Sequence, residues 1–360
     1  MRIVDLRPAP VRCLTARWHA NGTGRPRGIA ALTSRMADAW LARQAAQRPF
    51  PPEAPLVVSI GNLALGGTGK TPVTAQLALD LAASGARGAV LTRGFGSRLA
   101  GPLLVKAATA GAGDEARLLA ATLEPAGWVV VQARRRSAGL QMLQRARSAL
   151  DVVLLEDGHQ TAGVGRHTDI VILDAWERQP GAGGDELLPL TGATAPFGPW
   201  RESARGAVRA GIWLVETDPT GLGAPNGKQV AGFSRSFRVA GDVTAAGAAV
   251  VLLSGIARPA PFEVEACRHL AAPAVAAVRC ADHEPYGPRT LARLDRVLRE
   301  TRATLVVTTA KDHVKLAPVW GSRPPLAVLE LCVRWEGTPT LPDLVRERLD
   351  AVRRGEPVFC

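Results

Sequence analysis

The stretch LVVSIGNLALGGTGKTPVTAQLALDLAASG, Leu56 to Gly85, sets the tightest limit on how this chain can fold. An apolar run, a glycine-rich turn and a helical repeat follow one another directly. The spacing predicts a buried strand over Leu56–Ile60 and a helix that runs through Leu77 and Leu81 and stops at Gly85. Gly66, Gly67 and Gly69, with Thr68 among them, let the backbone turn its N–H groups inward around an anion. Lys70 supplies a point charge for β- and γ-phosphates, and the Thr71 hydroxyl suits Mg²⁺. Pro72 stands at the helix start, where a missing N–H costs little, and the helix N-terminus adds a favourable dipole. A strict GxxxxGK(S/T) pattern would have glycine where Ala64 stands. The strand–loop–helix context predicts a nucleotide-phosphate loop; the plain alternative is a glycine-rich turn with a solvated lysine.

Such a loop needs metal support from a neighbouring strand. DVVLLEDG, Asp151 to Gly158, offers an apolar strand ending in Glu156 and Asp157, carboxylates that hold Mg²⁺ directly or through water. The competing reading is a strand-end turn, since Asp-Gly is a common turn pair.

Short apolar runs alternate with helical stretches along the rest of the chain. Expected strands are Ala89–Thr92, Trp128–Val131, Val152–Leu155, Ile170–Leu173 and Ile212–Val215, with helices such as Asp114–Thr122 between them. This predicts a P-loop NTPase-type α/β fold: a doubly wound, mostly parallel sheet. A second α/β pattern follows: strand Val250–Leu253, helix Phe262–Leu270, strand Val275–Val278, helix Pro288–Glu300, and strands Leu305–Thr308 and Leu326–Leu331. The expected division is 1–52 as a basic amphipathic segment, 53–235 as the P-loop domain, 236–340 as a smaller α/β lobe and 341–360 as a C-terminal helix and tail. Gly181–Pro199 reads as a long loop.

Lys and Arg number 44 against 32 Asp and Glu, a net +12, which favours a polyanionic partner: nucleic acid, an anionic membrane surface or a phosphorylated substrate. Aromatic and basic residues are not interleaved in the manner of RNA-binding modules, so nucleic acid is not expected. Five scattered cysteines without CxxC spacing give neither a disulfide framework nor a zinc site, and a reducing cytoplasm is the default compartment. From Ile29 to Leu41 apolar positions fall at helical spacing, with Arg35 and Arg43 beside them. That segment reads either as a helix packed on the domain or as a basic amphipathic helix lying on a bilayer.

The motifs taken together resemble the tetraacyldisaccharide 4′-kinases, the lipid A 4′-kinases of bacteria. The matching stretches are SIGNLALGGTGKTP, TRGFGS, GDEARLLA, LLEDGHQ, DIVILDA, GPWRES, SGIARPAPFE, ADHEPY and TTAKDHVKL, in the family's order over roughly residues 55–316. Where the family has DDGFQH this chain reads EDGHQT, Ala116 stands in place of the proline of GDEP, and TGATAPF (191–197) is an insertion. The resemblance implies an ATP- and Mg²⁺-dependent kinase that phosphorylates the 4′-hydroxyl of a tetraacylated glucosamine disaccharide 1-phosphate. It implies a peripheral protein on the cytoplasmic face of the inner membrane, expected to be a monomer, with the lipid disaccharide as its partner.

The resemblance also suggests roles. Asp114 of GDE is similar to the family's base and His283 of ADHEPY to the histidine coupled to it, with Lys70 as the third catalytic group. They come from different lobes, so closure would assemble the pair. Plainer readings are a helix N-cap for Asp114 and a loop histidine bonded to backbone for His283. Glu115, Arg93 and Arg201 are candidate substrate contacts, with Glu202 beside Arg201. Thr71, Glu156 and Asp157 are candidate metal ligands. Lys311 and Asp312 suggest either base recognition, by analogy with NKxD, or a strand-end salt bridge. His159 reads as structural. The competing functions are a P-loop NTPase switch or metal-insertion chaperone, and a divergent relative with an altered acceptor.

Overall fold

The computed structural model describes residues 1–8, 26–49, 51, 53, 55–66, 69–146, 150–173, 178–180, 187–189, 192–220, 222, 228–240, 247–270 and 273–358. Chain order opens with β1 (Arg2–Asp5), α1 (Gly28–Ala46), β2 (Leu56–Asn62), α2 (Lys70–Ala83), β3 (Gly88–Thr92), β4 (Leu103–Val105) and α3 (Asp114–Leu123). It continues with β5 (Val129–Gln132), α4 (Arg136–Arg145), β6 (Val152–Glu156), β7 (Thr168–Leu173), the short β8 (Arg178–Pro180) and β9 (Leu187–Pro189), β10 (Ile212–Val215) and β11 (Gln229–Ala240). The last part holds β12 (Val250–Ser254), α5 (Pro259–Leu270), β13 (Ala276–Arg279), α6 (Pro288–Thr301), β14 (Leu305–Thr309), α7 (Ala310–Leu316), β15 (Leu326–Glu336) and α8 (Leu341–Arg353).

Two compact units result. The larger takes Arg17–Arg235 and Val333–Cys360; the smaller takes Met1–Ala16 and Ser236–Cys332. In the larger unit the strand order is β11-β10-β7-β2-β6-β3-β5-β4. Every pair is parallel except β4 with β5, at the edge. Strands β2, β3, β6, β7 and β10 are buried along their whole length, as a parallel sheet covered on both faces requires. Alternate residues feed opposite faces: Val57, Leu91, Val131, Val153 and Leu155 pack with Leu140 and Leu143 of α4. Helix α2 buries Val73, Leu77 and Leu81 and packs against α3 and α8. The C-terminal helix therefore belongs to this unit, closed at its start by a capping box between Thr340 and Asp343.

The smaller unit is a five-stranded parallel sheet, β1-β13-β12-β14-β15. Val250 and Leu252 face Phe262 and Ala266 of α5, whereas Val251 and Leu253 face Leu294, Val297 and Leu298 of α6. The segment read as 1–52 is divided: β1 is an edge strand here, paired with β13 from Arg2↔Ala276 to Asp5↔Arg279, while α1 lies in the larger unit. Arg12, Arg17 and Arg25 of that segment lie outside the described residues.

Candidate active site

Strand β2 ends in Asn62, and the loop beyond it begins with three side chains of which Leu63 and Ala64 are buried. Gly66 (φ 109°) and Gly69 (φ 76°) take left-handed backbone that a side chain would strain. Gly69 is the N-cap of α2, so Lys70 and Thr71 occupy its first turn. Gly67 and Thr68 lie outside the described residues. The Lys70 ammonium folds back over the loop, donating to Asn62 Oδ1 at 3.2 Å and to the Gly66 carbonyl at 3.4 Å, with Asp157 Oδ1 at 3.8 Å.

Parallel pairing of β2 with β6 brings Ile60 opposite Glu156, so the strand-end carboxylates meet the start of α2. Thr71 Oγ1 donates to Glu156 Oε1 at 3.2 Å, and Thr92 Oγ1 to Glu156 Oε2 at 2.9 Å. Burial, with Glu115 and Asp157 nearby, pushes the Glu156 carboxyl up to about 7. That interaction places Glu115 in the electrostatic field of this site. Asp157, the residue just past the strand, takes positive φ (51°). Its carboxylate accepts from Arg201 at 2.7 Å, and Lys70 and Arg201 together hold it below the usual carboxylate range despite burial. The structure thus brings together Lys70, Thr71, Glu156, Asp157 and Arg201.

Arg201 reaches Asp157 because GPWRES lies along the phosphate loop: Leu65 N–H donates to the Pro199 carbonyl and Arg201 N–H to that of Leu63. Glu202, expected beside Arg201 as a head-group contact, is instead wholly buried. It accepts from Gln160 and Arg209 at 2.7 and 2.6 Å, and Gln160 also donates to the Asn62 carbonyl. A fully enclosed carboxylate with two such partners is a brace for the loop. His159 is likewise enclosed, its Nε2 3.0 Å from the Gly206 carbonyl and its Cβ against Gly61.

Asp114 begins α3 at its first helical position; the N-cap position is Gly113, which has no side chain to cap the helix, so the plainer reading of Asp114 as the N-cap does not hold. Asp114 is 9% exposed and Oδ1 accepts from the Glu115 N–H at 3.0 Å. Arg93 is exposed at the start of the RGFGSR turn, within the field of Arg136. Arg136 was not singled out in the sequence, yet it is buried under the site and donates to the Glu156 carbonyl. Asn62, Thr92 and Gln160 lie inside SIGNLALGGTGKTP, TRGFGS and LLEDGHQ but were given no role there, and Arg136 lies outside every matched stretch.

His283 belongs to the smaller unit. It too has positive φ (59°), and its N–H donates to the Gly255 carbonyl. Lys311 Nζ lies 3.1 Å from His283 Nε2 and 3.1 Å from Asp282 Oδ1. Asp312 is buried, accepting from Gly255 N–H and Thr309 Oγ1. Of the two readings of Lys311–Asp312, this is the strand-end arrangement of ion pair and cap.

Helix α1 is held to the larger unit by polar contacts. Ser34 Oγ is 3.2 Å from Thr194 Oγ1, and Asp38 accepts from the Ser203 N–H and hydroxyl. The opposite side presents Ile29, Leu32, Met36 and Trp40, 59 to 71% exposed. No helix among the described residues is long and apolar enough to cross a membrane.

A parallel sheet whose central strand opens into a glycine loop, with a Lys-Thr pair at the helix start and carboxylates on the adjacent strand, defines a P-loop phosphotransferase fold. The family model for Tetraacyldisaccharide-1-P 4′-kinase matches residues 29–350. The chain is 33% identical over 353 residues to the tetraacyldisaccharide 4′-kinase of Methylobacterium sp. (strain 4-46), covering 94% of this chain and 97% of that one. It is 35% identical to that of Methylorubrum populi (78% and 82% covered) and 36% to that of Geobacter metallireducens (73% and 79% covered). The chain belongs to the tetraacyldisaccharide-1-phosphate 4′-kinase family. Among solved structures, "apo" form LpxK from Aquifex aeolicus in complex with ATP aligns with TM-score 0.65 and 22% identity, over 88% of this chain and 97% of that one, which establishes likeness of fold.

Proposed function

We propose that this chain transfers the γ-phosphate of ATP to the 4′-hydroxyl of a tetraacylated glucosamine disaccharide 1-phosphate. One observation carries the reading at the site: the 3.2 Å bond between Thr71 and Glu156, with the Lys70 ammonium beside it. Loop hydroxyl, strand carboxylate and cation converge where a triphosphate on the α2 N-terminus would end. The family assignment and the names of the relatives support the acceptor.

The donors gathered here are hard oxygens, from Thr71, Glu156 and Asp157, and they suit Mg²⁺. When bound, Mg²⁺ neutralises charge on the β- and γ-phosphates. Lys70 leaves Asn62 and Gly66 for the phosphates. Arg201 fixes Asp157 and offers its remaining donors to the acceptor's phosphate or sugar. Asp114 takes the proton from the acceptor hydroxyl, with His283 proposed as its coupled group. Glu115 and Arg93 are proposed to position the acceptor.

The exposed stripe of α1 supports a peripheral membrane position; the cytoplasmic face is proposed from the family resemblance alone. Residues 29, 32, 36 and 40 share one helical face, flanked by Arg35 and Arg43. The docked face is observed in the bonds of Ser34 and Asp38; the exposed face is the one proposed to meet lipid.

The test is label transfer from γ-labelled ATP to the disaccharide 1-phosphate in detergent micelles. Wild type should label lipid, and Lys70→Ala and Asp114→Ala should lose about 10²-fold or more in kcat. Label in inorganic phosphate alone would favour an NTPase switch. Wild-type rates from Asp114→Ala would remove it as the base.

A further inference from the structure

Gln132 closes β5 and is wholly buried, an amide inside an otherwise apolar parallel strand. Such a group is stable only if its amide is satisfied, and its bonds all run to segments that carry the proposed chemistry. Oε1 accepts from the Gly113 N–H at 2.8 Å, at the cap of the helix that begins Asp114-Glu115. Nε2 donates to Ser97 Oγ and to the Leu99 carbonyl, both at 2.8 Å, within the RGFGSR turn and just past it.

Packing around this amide is equally specific. A Cβ on Gly94 would stand 2.1 Å from Gln132 Cδ, so the turn lies directly on the side chain. A Cβ on Gly113 would come within 3.1 Å of Gly94 Cα and of the Phe95 carbonyl, so turn and helix cap press on each other at the same point. Ser97 Oγ in turn donates to the Gly111 carbonyl and accepts from the Leu99 N–H.

We infer that Gln132 is a positioning residue for the phosphoryl transfer proposed above, on which this inference rests. One amide fixes the start of α3, and with it Asp114 and Glu115, to the turn that carries Arg93 and Arg98. Acceptor and donor halves of the amide serve the two segments separately: the oxygen holds the base-bearing helix, the nitrogen holds the arginine turn. The residue touches neither nucleotide nor acceptor. It sets the register between the group that removes a proton and the cations that meet the substrate.

The test uses the full chain carrying Gln132→Met, close in shape but without the bonds, and Gln132→Glu, which keeps the acceptor and loses the donors. Readouts are thermal unfolding, kcat and KM for ATP and for the micellar disaccharide 1-phosphate, and amide exchange over 94–99 and 113–115. Expected for Gln132→Met is a folded protein with kcat lowered about 10- to 100-fold, KM for ATP within about twofold, and faster exchange in both segments. Gln132→Glu should leave the Gly113 amide protected and loosen only 94–99. A folded Gln132→Met with wild-type kcat, or with exchange unchanged in both segments, overturns the inference. Should Gln132→Met fail to fold, Ser97→Ala decides: faster exchange at 94–99 with lowered kcat supports it, and neither change overturns it. If the wild type labels no lipid, the kinase reading fails, while the exchange pattern still judges the amide's role.

Discussion

Gly69 shows how narrowly single residues are specified in the phosphate loop. Its left-handed backbone disfavours any side chain by about 1–2 kcal/mol. A Cβ there would also sit 3.3 Å from Nε of Arg235, whose guanidinium is paired with Glu216 at 3.2 Å. Gly69→Ala is therefore expected to lower stability by about 1–2 kcal/mol and to raise KM for ATP, measured by urea unfolding and steady-state kinetics. Asp169 is the second case. It is buried between Arg166 at 2.9 Å and Arg48 at 2.9 Å, with His159 beside it. Although burial alone would raise its pKa, these cations hold its carboxyl far below the usual range. A depressed carboxylate contributes stability above its unfolded pKa, near 3.8, and that contribution is lost as pH falls below it. Asp169→Asn should cost about 3–5 kcal/mol at neutral pH by leaving two arginines buried without their counter-charge. The gap between variant and wild type should shrink between about pH 4 and pH 2; a constant gap in unfolding titrations across that range would refute the assignment.

At the scale of elements, α1 invites a direct perturbation. Trp40→Glu with Leu32→Glu should reduce co-sedimentation with phosphatidylglycerol vesicles about tenfold or more while leaving phosphorylation of micellar substrate largely intact, since neither side chain is in the core. Which elements the sequence disclosed follows the same division between covered and uncovered surfaces. Strands buried on both faces read as continuous apolar runs, and β10 and α8 fall on Ile212–Val215 and Leu341–Arg353 as expected. Helix α4 was not anticipated: half of RSAGLQMLQR is polar, and only Gly139, Leu140 and Leu143, with Arg136, are buried. Strand β11 was hidden because only Ala231, Gly232 and Phe233 are buried, and burial fades on either side of them. Helix α7 follows β14 without a break, capped by Thr309, and was not read as a helix from the sequence. In the site, residues with chemically distinctive neighbours in sequence were visible: Lys70, Thr71, Glu156 and Asp157. The braces were not, because Gln132, Gln160 and Glu202 acquire partners only when strands pair; Glu202 and Gln160 are 42 residues apart.

For the molecule as a whole, the excess of 12 positive charges favours an anionic surface as the proposed membrane partner. Binding to anionic vesicles should weaken as ionic strength rises from about 0.05 to about 0.5 M, over which the screening length falls severalfold, with smaller change on neutral vesicles, read by co-sedimentation. Salt-independent binding would assign attachment to the α1 stripe alone. Unit composition also bears on how the chain can be handled. Residues 2–5 form a sheet edge with 276–279, closed at its rim by Arg2 with Glu300. Trimming the front of the polypeptide to free it from lipid would therefore peel away one border of the smaller unit's sheet, baring the backbone amides and carbonyls of β13. An insoluble product from such trimming would record a torn sheet, and only replacements on the outer face of α1 can separate greasiness from architecture.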